Sequence, residues 1–211
     1  MSTEHLSAVV ASFDQRAATY DESEMHRGLA EAVAGFVDLD ARVRVVLDVA
    51  TGTGLLLRAL GARVTPDVRL IGVDVSPGML AVAQEHLPHA TLVVGDTTAL
   101  GLPDTSVDLV TCVTALHLFE DPAAVFAEWA RVLTPGGRVV TATFAAQPGT
   151  QRGPRVVNPR PYRSNHAAFE SHELVADAAA SAGFRLSRRG TWSGTRDRCV
   201  LAELTLEGPP S

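Results

Sequence analysis

Three aspartates and a glycine-bearing loop stand where they could handle a charged nucleoside. Asp48 closes the apolar run Val46-Leu47, and the loop that follows, Val49-Ala50-Thr51-Gly52-Thr53-Gly54, enters a helical stretch opening at Leu55. Glycines there let a ligand approach the backbone closely. Twenty residues past Gly54, Asp74 ends the next apolar run, at the place where such folds hydrogen-bond a ribose diol. Gly95-Asp96 follows a third run, and its carboxylate can accept from an exocyclic adenine amine. A nucleoside-containing cofactor is implied. A dinucleotide is disfavoured twice over, because the third fingerprint glycine is replaced by Leu57 and because Asp48 would repel a pyrophosphate while suiting an ammonium.

The elements that must carry these residues are readable from periodicity. Short runs rich in Val, Ile and Leu at Val43–Val49, Leu70–Asp74, Thr91–Val94, Val107–Thr111 and Arg138–Phe144 alternate with helical stretches, as buried parallel strands do. Ser76, Asp121 and Ser171 are N-cap candidates, the first two followed by proline, and Gly136 and Gly183 are expected to end helices. A helix over Ser171–Ala182 and strands near Arg185–Trp192 and Cys199–Leu206 complete the chain, the last turn being short enough to join only antiparallel strands. Before all of these, apolar spacings of three and four between Ser2 and Val37 predict two helices broken near Ala18–Glu22. The pattern predicts a doubly wound, Rossmann-like α/β fold: a seven-stranded, mostly parallel sheet with an antiparallel C-terminal strand and helices on both faces. Ligands bind such sheets beyond the strands' carboxyl ends at the topological switch point.

Composition narrows the chemistry. All 18 basic side chains are arginine, so the chain has no lysine for a Schiff base or a phosphate-binding Walker loop. Its two cysteines, Cys112 and Cys199, lie in strand-like apolar runs and read as small hydrophobes in a reducing compartment. No basic-then-apolar leader and no membrane-length apolar run is present, and a cytoplasmic location is expected. The net charge of -6 disfavours a general nucleic-acid partner. Half of the arginines nevertheless fall in residues 152–198, a segment that could face an anionic group.

At the four blocks Leu47–Gly54, Gly72–Leu80, Gly95-Asp96 and Leu133-Thr134-Pro135-Gly136-Gly137 the sequence resembles the class I S-adenosylmethionine-dependent methyltransferases, in particular the branch related to quinone-biosynthesis C-methyltransferases and small-molecule enzymes. The resemblance spans roughly Phe13 to Phe184. It implies S-adenosyl-L-methionine as cofactor, with Gly52 and Gly54 making room for the methionine part, Asp48 and Ala50 beside it, Asp74 holding the ribose hydroxyls, Asp96 meeting the adenine amine and Met79 packing on the adenine face. Val75, Thr97 and Thr114, which flank these motifs, are expected to complete the site. Ala50 departs from the glycine of the wider family, as in the quinone-related branch. Phe13–Asp21 resembles the family's N-terminal lid, whose tyrosine, here Tyr20, closes over the cofactor; the plainer reading makes Tyr20 a helix-helix core residue. One domain over residues 1–211 is expected, with a helical lid at 1–40 and a substrate loop at 145–170.

Methyl transfer from a sulfonium is an in-line displacement that asks mainly for alignment, with a base only where the acceptor must lose a proton. His117, after the fourth strand, is the candidate base; the alternative is a structural histidine beginning a helix. An anionic acceptor could be selected by Arg152, Arg155, Arg160 and Arg163, with His166 and Phe169 beyond; solvated surface arginines are the plainer reading. Arg27 could reach the cofactor carboxylate; a surface arginine is the plainer reading. His166 and His172 lack the spacing of a metal pair, and no metal is expected. The Asn/Asp-Pro-Pro-aromatic motif of base N-methylating enzymes is replaced by Thr114-Ala115-Leu116-His117, which disfavours that substrate. A small-molecule methyltransferase, monomeric or homodimeric and with no membrane partner, is therefore expected. A non-catalytic cofactor-binding module and a nicotinamide oxidoreductase are the alternatives.

Overall fold

The computed structural model describes residues 2–146 and 161–207. Seven strands form one sheet: β1 (Val45–Val49), β2 (Arg69–Asp74), β3 (Thr91–Val94), β4 (Val107–Val113), β5 (Leu133–Phe144), β6 (Phe184–Ser193) and β7 (Arg198–Leu206), in the order β3-β2-β1-β4-β5-β7-β6. The first five run parallel, and β7 lies antiparallel to both β5 and β6, as the short final turn requires. Successive side chains point to opposite faces, so Leu47 and Val110 feed one core with Phe126 and Trp129, while Val46 and Leu109 feed the other with Leu29 and Leu57. Helices α2 (Glu24–Phe36) and α3 (Leu55–Gly61) cover the second face; α5 (Pro122–Val132) and α6 (His172–Ala180) cover the first.

Helix starts follow local chemistry. Ser76 Oγ accepts from the Met79 N–H at 3.1 Å to open α4 (Pro77–His86), Asp121 accepts from Ala124 at 3.0 Å for α5, and Ser171 accepts from Leu174 at 3.2 Å for α6. Gly183, at φ 85°, follows α6 and returns its N–H to the Ala180 carbonyl. Gly136 does not end a helix: α5 passes straight into β5 at Leu133, and Gly136, at φ 76°, sits where the β4–β5 register slips between the Val107–Leu133 and Leu109–Arg138 pairs. A left-handed glycine serves a bulge as well as a cap, which makes the two alike in sequence. At the N-terminus α1 (Thr3–Asp14) is followed by a 3₁₀ turn at Ala17–Glu22 and then α2, the expected break.

β1 lies between β2 and β4, so the chain leaves it in opposite directions on either side. That is the switch point, and the strand ends there carry Asp48, Asp74 and Thr114.

Candidate active site

Two connected chambers open at this point. The larger, about 600 Å³, is lined by Val9, Phe13, Asp74, Val75, Thr97 and Phe119 among others. The smaller, about 420 Å³, includes His26, Asp48, Thr51 and Thr53. Tyr20, Ala50, Gly52, Val113 and Thr114 line both and form the passage between them.

The walls are held in uncommon backbone conformations. Ala50, after β1, has φ 56°, and Thr114, after β4, has φ 53°; left-handed backbone in a residue with a Cβ is a strained state that functional sites retain. The family preference for glycine at position 50 has this physical cause. The two neighbouring glycines divide their work. A Cβ on Gly52 (φ 57°) would meet nothing within 4 Å, so this residue keeps the passage clear. A Cβ on Gly54 (φ 77°) would come within 2.6 Å of Leu87 Cδ1, so Gly54 serves the packing of the loop on the end of α4.

Asp74 is buried, and its two carboxylate oxygens accept the Gly52 N–H at 2.8 Å and the Ser76 N–H at 2.9 Å, joining the two strand-end turns. Burial pushes its pKa up against these donors, which pull it down. Asp48 is 3% exposed and accepts from the Thr111 hydroxyl at 2.6 Å; burial pushes its carboxyl up to about 6. Such a group gains from an incoming ammonium more than an exposed carboxylate would. Thr97 is 2% exposed, and among the described residues its hydroxyl has no hydrogen-bond partner. A buried orphan hydroxyl in a chamber wall asks for a polar ligand. Cavity, buried carboxylates and orphan hydroxyl together fit a cationic nucleoside.

Tyr20 stands over the passage. Its ring stacks on His26 at 4.2 Å, its hydroxyl bonds the Thr114 side chain, and burial pushes its pKa up to about 12. Carboxylates latch the segment on either side. Asp14 accepts from Ser76 Oγ at 2.5 Å and from the Gly78 N–H at 2.9 Å, docking α1 on the start of α4. Asp21 accepts from Thr53 Oγ1 and pairs with Arg58, docking the 3₁₀ turn on the start of α3. The sequence assigns no role to Asp14, Asp21 or Arg58, although the two acids flank Tyr20.

Of the expected site residues, Tyr20, Asp48, Ala50, Gly52, Asp74, Val75, Thr97 and Thr114 line the chambers. Gly54, Met79, Asp96 and His117 do not. Met79 is fully buried in α4. Asp96 accepts from both the N–H and the hydroxyl of Thr98 at 2.9 Å, a local turn. His117 is buried between the lining residues Ala115 and Leu118, with its ring stacked on His166 at 3.9 Å and edge-on to Phe144 at 6.0 Å. Arg27 is exposed and donates to the Asp21 carbonyl. His172 Nε2 lies 2.8 Å from the Gly190 carbonyl, a structural role. Arg152, Arg155 and Arg160 lie outside the described residues, and Arg163 is exposed.

The larger chamber's outer wall is apolar. Val9, Leu118 and Tyr162 form a cluster packed by Phe13, with the Phe13 and Tyr162 rings stacked at 6.2 Å, and among the described residues no basic side chain lines this chamber.

Comparisons with known proteins agree with this geometry. Residues 47–141 match the family described as a methyltransferase domain. The malonyl-[acyl-carrier protein] O-methyltransferase of Hahella chejuensis is 35% identical over 191 residues, 85% of this chain and 64% of the relative. The demethylmenaquinone methyltransferase of Deinococcus radiodurans is 43% identical over 105 residues, 48% of this chain and 43% of the relative. The chain thus spans less than two thirds of the length of both. Among solved structures, a chain from the complex between the Haloferax volcanii Trm112 methyltransferase activator and its methyltransferase superposes with a TM-score of 0.76 at 22% identity, covering 93% of this chain and 98% of that one.

Proposed function

We propose that the chain is a class I S-adenosylmethionine-dependent methyltransferase that moves a methyl group from S-adenosylmethionine to a small-molecule acceptor held between the N-terminal helices and the ends of β1 and β4, a reading supported by its similarity to methyltransferases. The observation that carries this reading is the pair of chambers that share Tyr20, Ala50, Gly52 and Thr114, each with one buried acid, Asp48 in the smaller and Asp74 in the larger, whose outer wall is apolar. S-adenosylmethionine supplies an electrophilic sulfonium methyl. Asp48 would hold its ammonium, Asp74 its ribose hydroxyls, and Val75 and Thr97 its base. The Gly52 backbone leaves the passage open, and Tyr20 closes it from above.

The protein's remaining work is alignment and exclusion of water. Holding two reactants in line supplies much of a displacement barrier, on the order of 7 to 11 kcal/mol in well-oriented systems. Val9, Phe13, Leu118 and Phe119 favour a neutral, apolar acceptor face, nearer in kind to the quinone named for one relative than to an anion. His117 remains the candidate base from its place after β4; its stacking on His166 supports the structural role more.

Calorimetry with S-adenosylmethionine and S-adenosylhomocysteine, on the native protein and on Asp74→Ala, tests the site. Removing a buried charged acceptor should weaken both by about 10- to 100-fold. Unchanged affinity would count against it. Turnover across a panel of apolar and anionic acceptors separates an enzyme from a binding module.

A further inference from the structure

The smaller chamber offers a carboxylate, Asp48, but few donors. A tail bearing both an ammonium and a carboxylate needs both kinds of partner. Three loop N–H groups are already committed: Thr51 to the Val73 carbonyl at 3.1 Å, Gly52 to Asp74 at 2.8 Å and Gly54 to the Thr51 carbonyl at 2.9 Å. The Thr53 hydroxyl donates to Asp21. Arg58 is paired with the same carboxylate, and Arg27, the residue the sequence suggested, is exposed and engaged by the Asp21 carbonyl.

One basic side chain lines the chamber among the described residues, His26. Its position is fixed twice. The backbone N–H is capped by Ser23 Oγ at 3.3 Å, and the ring lies nearly parallel to Tyr20, 8° between planes, with one ring nitrogen bonded to the Tyr20 backbone carbonyl. We propose that His26 binds the carboxylate of the cofactor's amino-acid tail as an imidazolium, donating to it the N–H of the ring nitrogen that does not bond Tyr20, in the chamber that Asp48 also lines, an inference that rests on the cofactor reading above. Burial holds the imidazole below its ordinary pKa, and a carboxylate beside it repays that cost. The stack then makes a second use of the same residue: the ring that meets the tail also sets the plane of the lid tyrosine.

His26→Phe keeps an aromatic ring against Tyr20 and removes the nitrogens. Calorimetry should compare S-adenosylhomocysteine with 5′-methylthioadenosine, which has the nucleoside but no amino-acid tail. The expected result is an affinity for S-adenosylhomocysteine about 10- to 50-fold weaker, with methylthioadenosine held within about twofold. His26→Gln, which restores an N–H donor, should recover part of the loss. Should the Phe variant misfold, His26→Leu is read by the same ratio. Equal loss of both ligands would reduce His26 to a scaffold for Tyr20 and overturn the proposal, as would no loss of either. A wild-type protein binding neither ligand would remove the cofactor reading, and this proposal with it.

Discussion

Asp48 stores a cost of folding for the sake of binding. Its folded pKa of about 6 lies above the ordinary 3.8, so the folded state holds this proton more tightly than the unfolded chain does. Its contribution to stability is therefore greatest at low pH and falls as pH rises from about 4 through about 6, by a total on the order of 3 kcal/mol. Asp48→Asn should flatten that fall and raise the melting temperature at pH 7, while weakening S-adenosylhomocysteine; melting curves across pH check the first and calorimetry the second. Part of the slope should remain, because Asp74 is shifted in the same direction. At His117 the aromatic contacts outweigh the ring nitrogens. His117→Phe, which preserves the stack on His166 and the edge contact with Phe144, is expected to keep at least about half of turnover. A hundredfold drop in kcat with normal cofactor affinity would restore it as a base.

At the scale of elements, the loop after β1 separates binding from folding within three residues. Gly52→Ala meets open space, so its cost beyond the left-handed backbone, about 1 to 2 kcal/mol, should fall on ligand affinity. Gly54→Ala adds a clash with Leu87 to a similar backbone cost and should lose about 2 to 4 kcal/mol of stability. Urea midpoints set against cofactor Kd values distinguish the two; a Gly54 variant of normal stability would refute the division. The N-terminal segment is tied to the starts of α3 and α4 by Asp21 and Asp14, the helices that begin immediately after the loops that follow β1 and β2. The N-terminal segment and these loops are thus one hydrogen-bonded unit, and Tyr20 takes its place from both.

Across the whole molecule, Glu203 on β7 fastens the sheet to the N-terminal helices. It is 8% exposed and pairs with Arg188 at 2.9 Å, while Arg188 also donates to the Phe36 carbonyl and covers the Phe36 ring. Arg138, 3.9 Å from the same carboxylate, donates to the Asp38 carbonyl at 2.8 Å. Glu203→Ala removes the carboxylate partner of Arg188, while Arg138 keeps Asp38 and Asp40, and should cost about 1 to 2 kcal/mol, read from the denaturant midpoint. The fold, and most of the residues that line the two chambers, were legible in the sequence because they depend on local signals. Apolar runs of strand length, N-caps at Ser76, Asp121 and Ser171, and acids at strand ends are each set within a few residues of the chain. What the sequence determined by itself is therefore the element order, the switch point and the acids that stand there. Tertiary structure decided the rest: that Gly54 packs on Leu87 and Gly52 does not, that His117 turns to His166, that Asp14 and Asp21 are latches, and that His26 and Asp48 line one chamber. Each depends on which distant atoms come within contact distance, and residue spacing along one element carries no information about its neighbour.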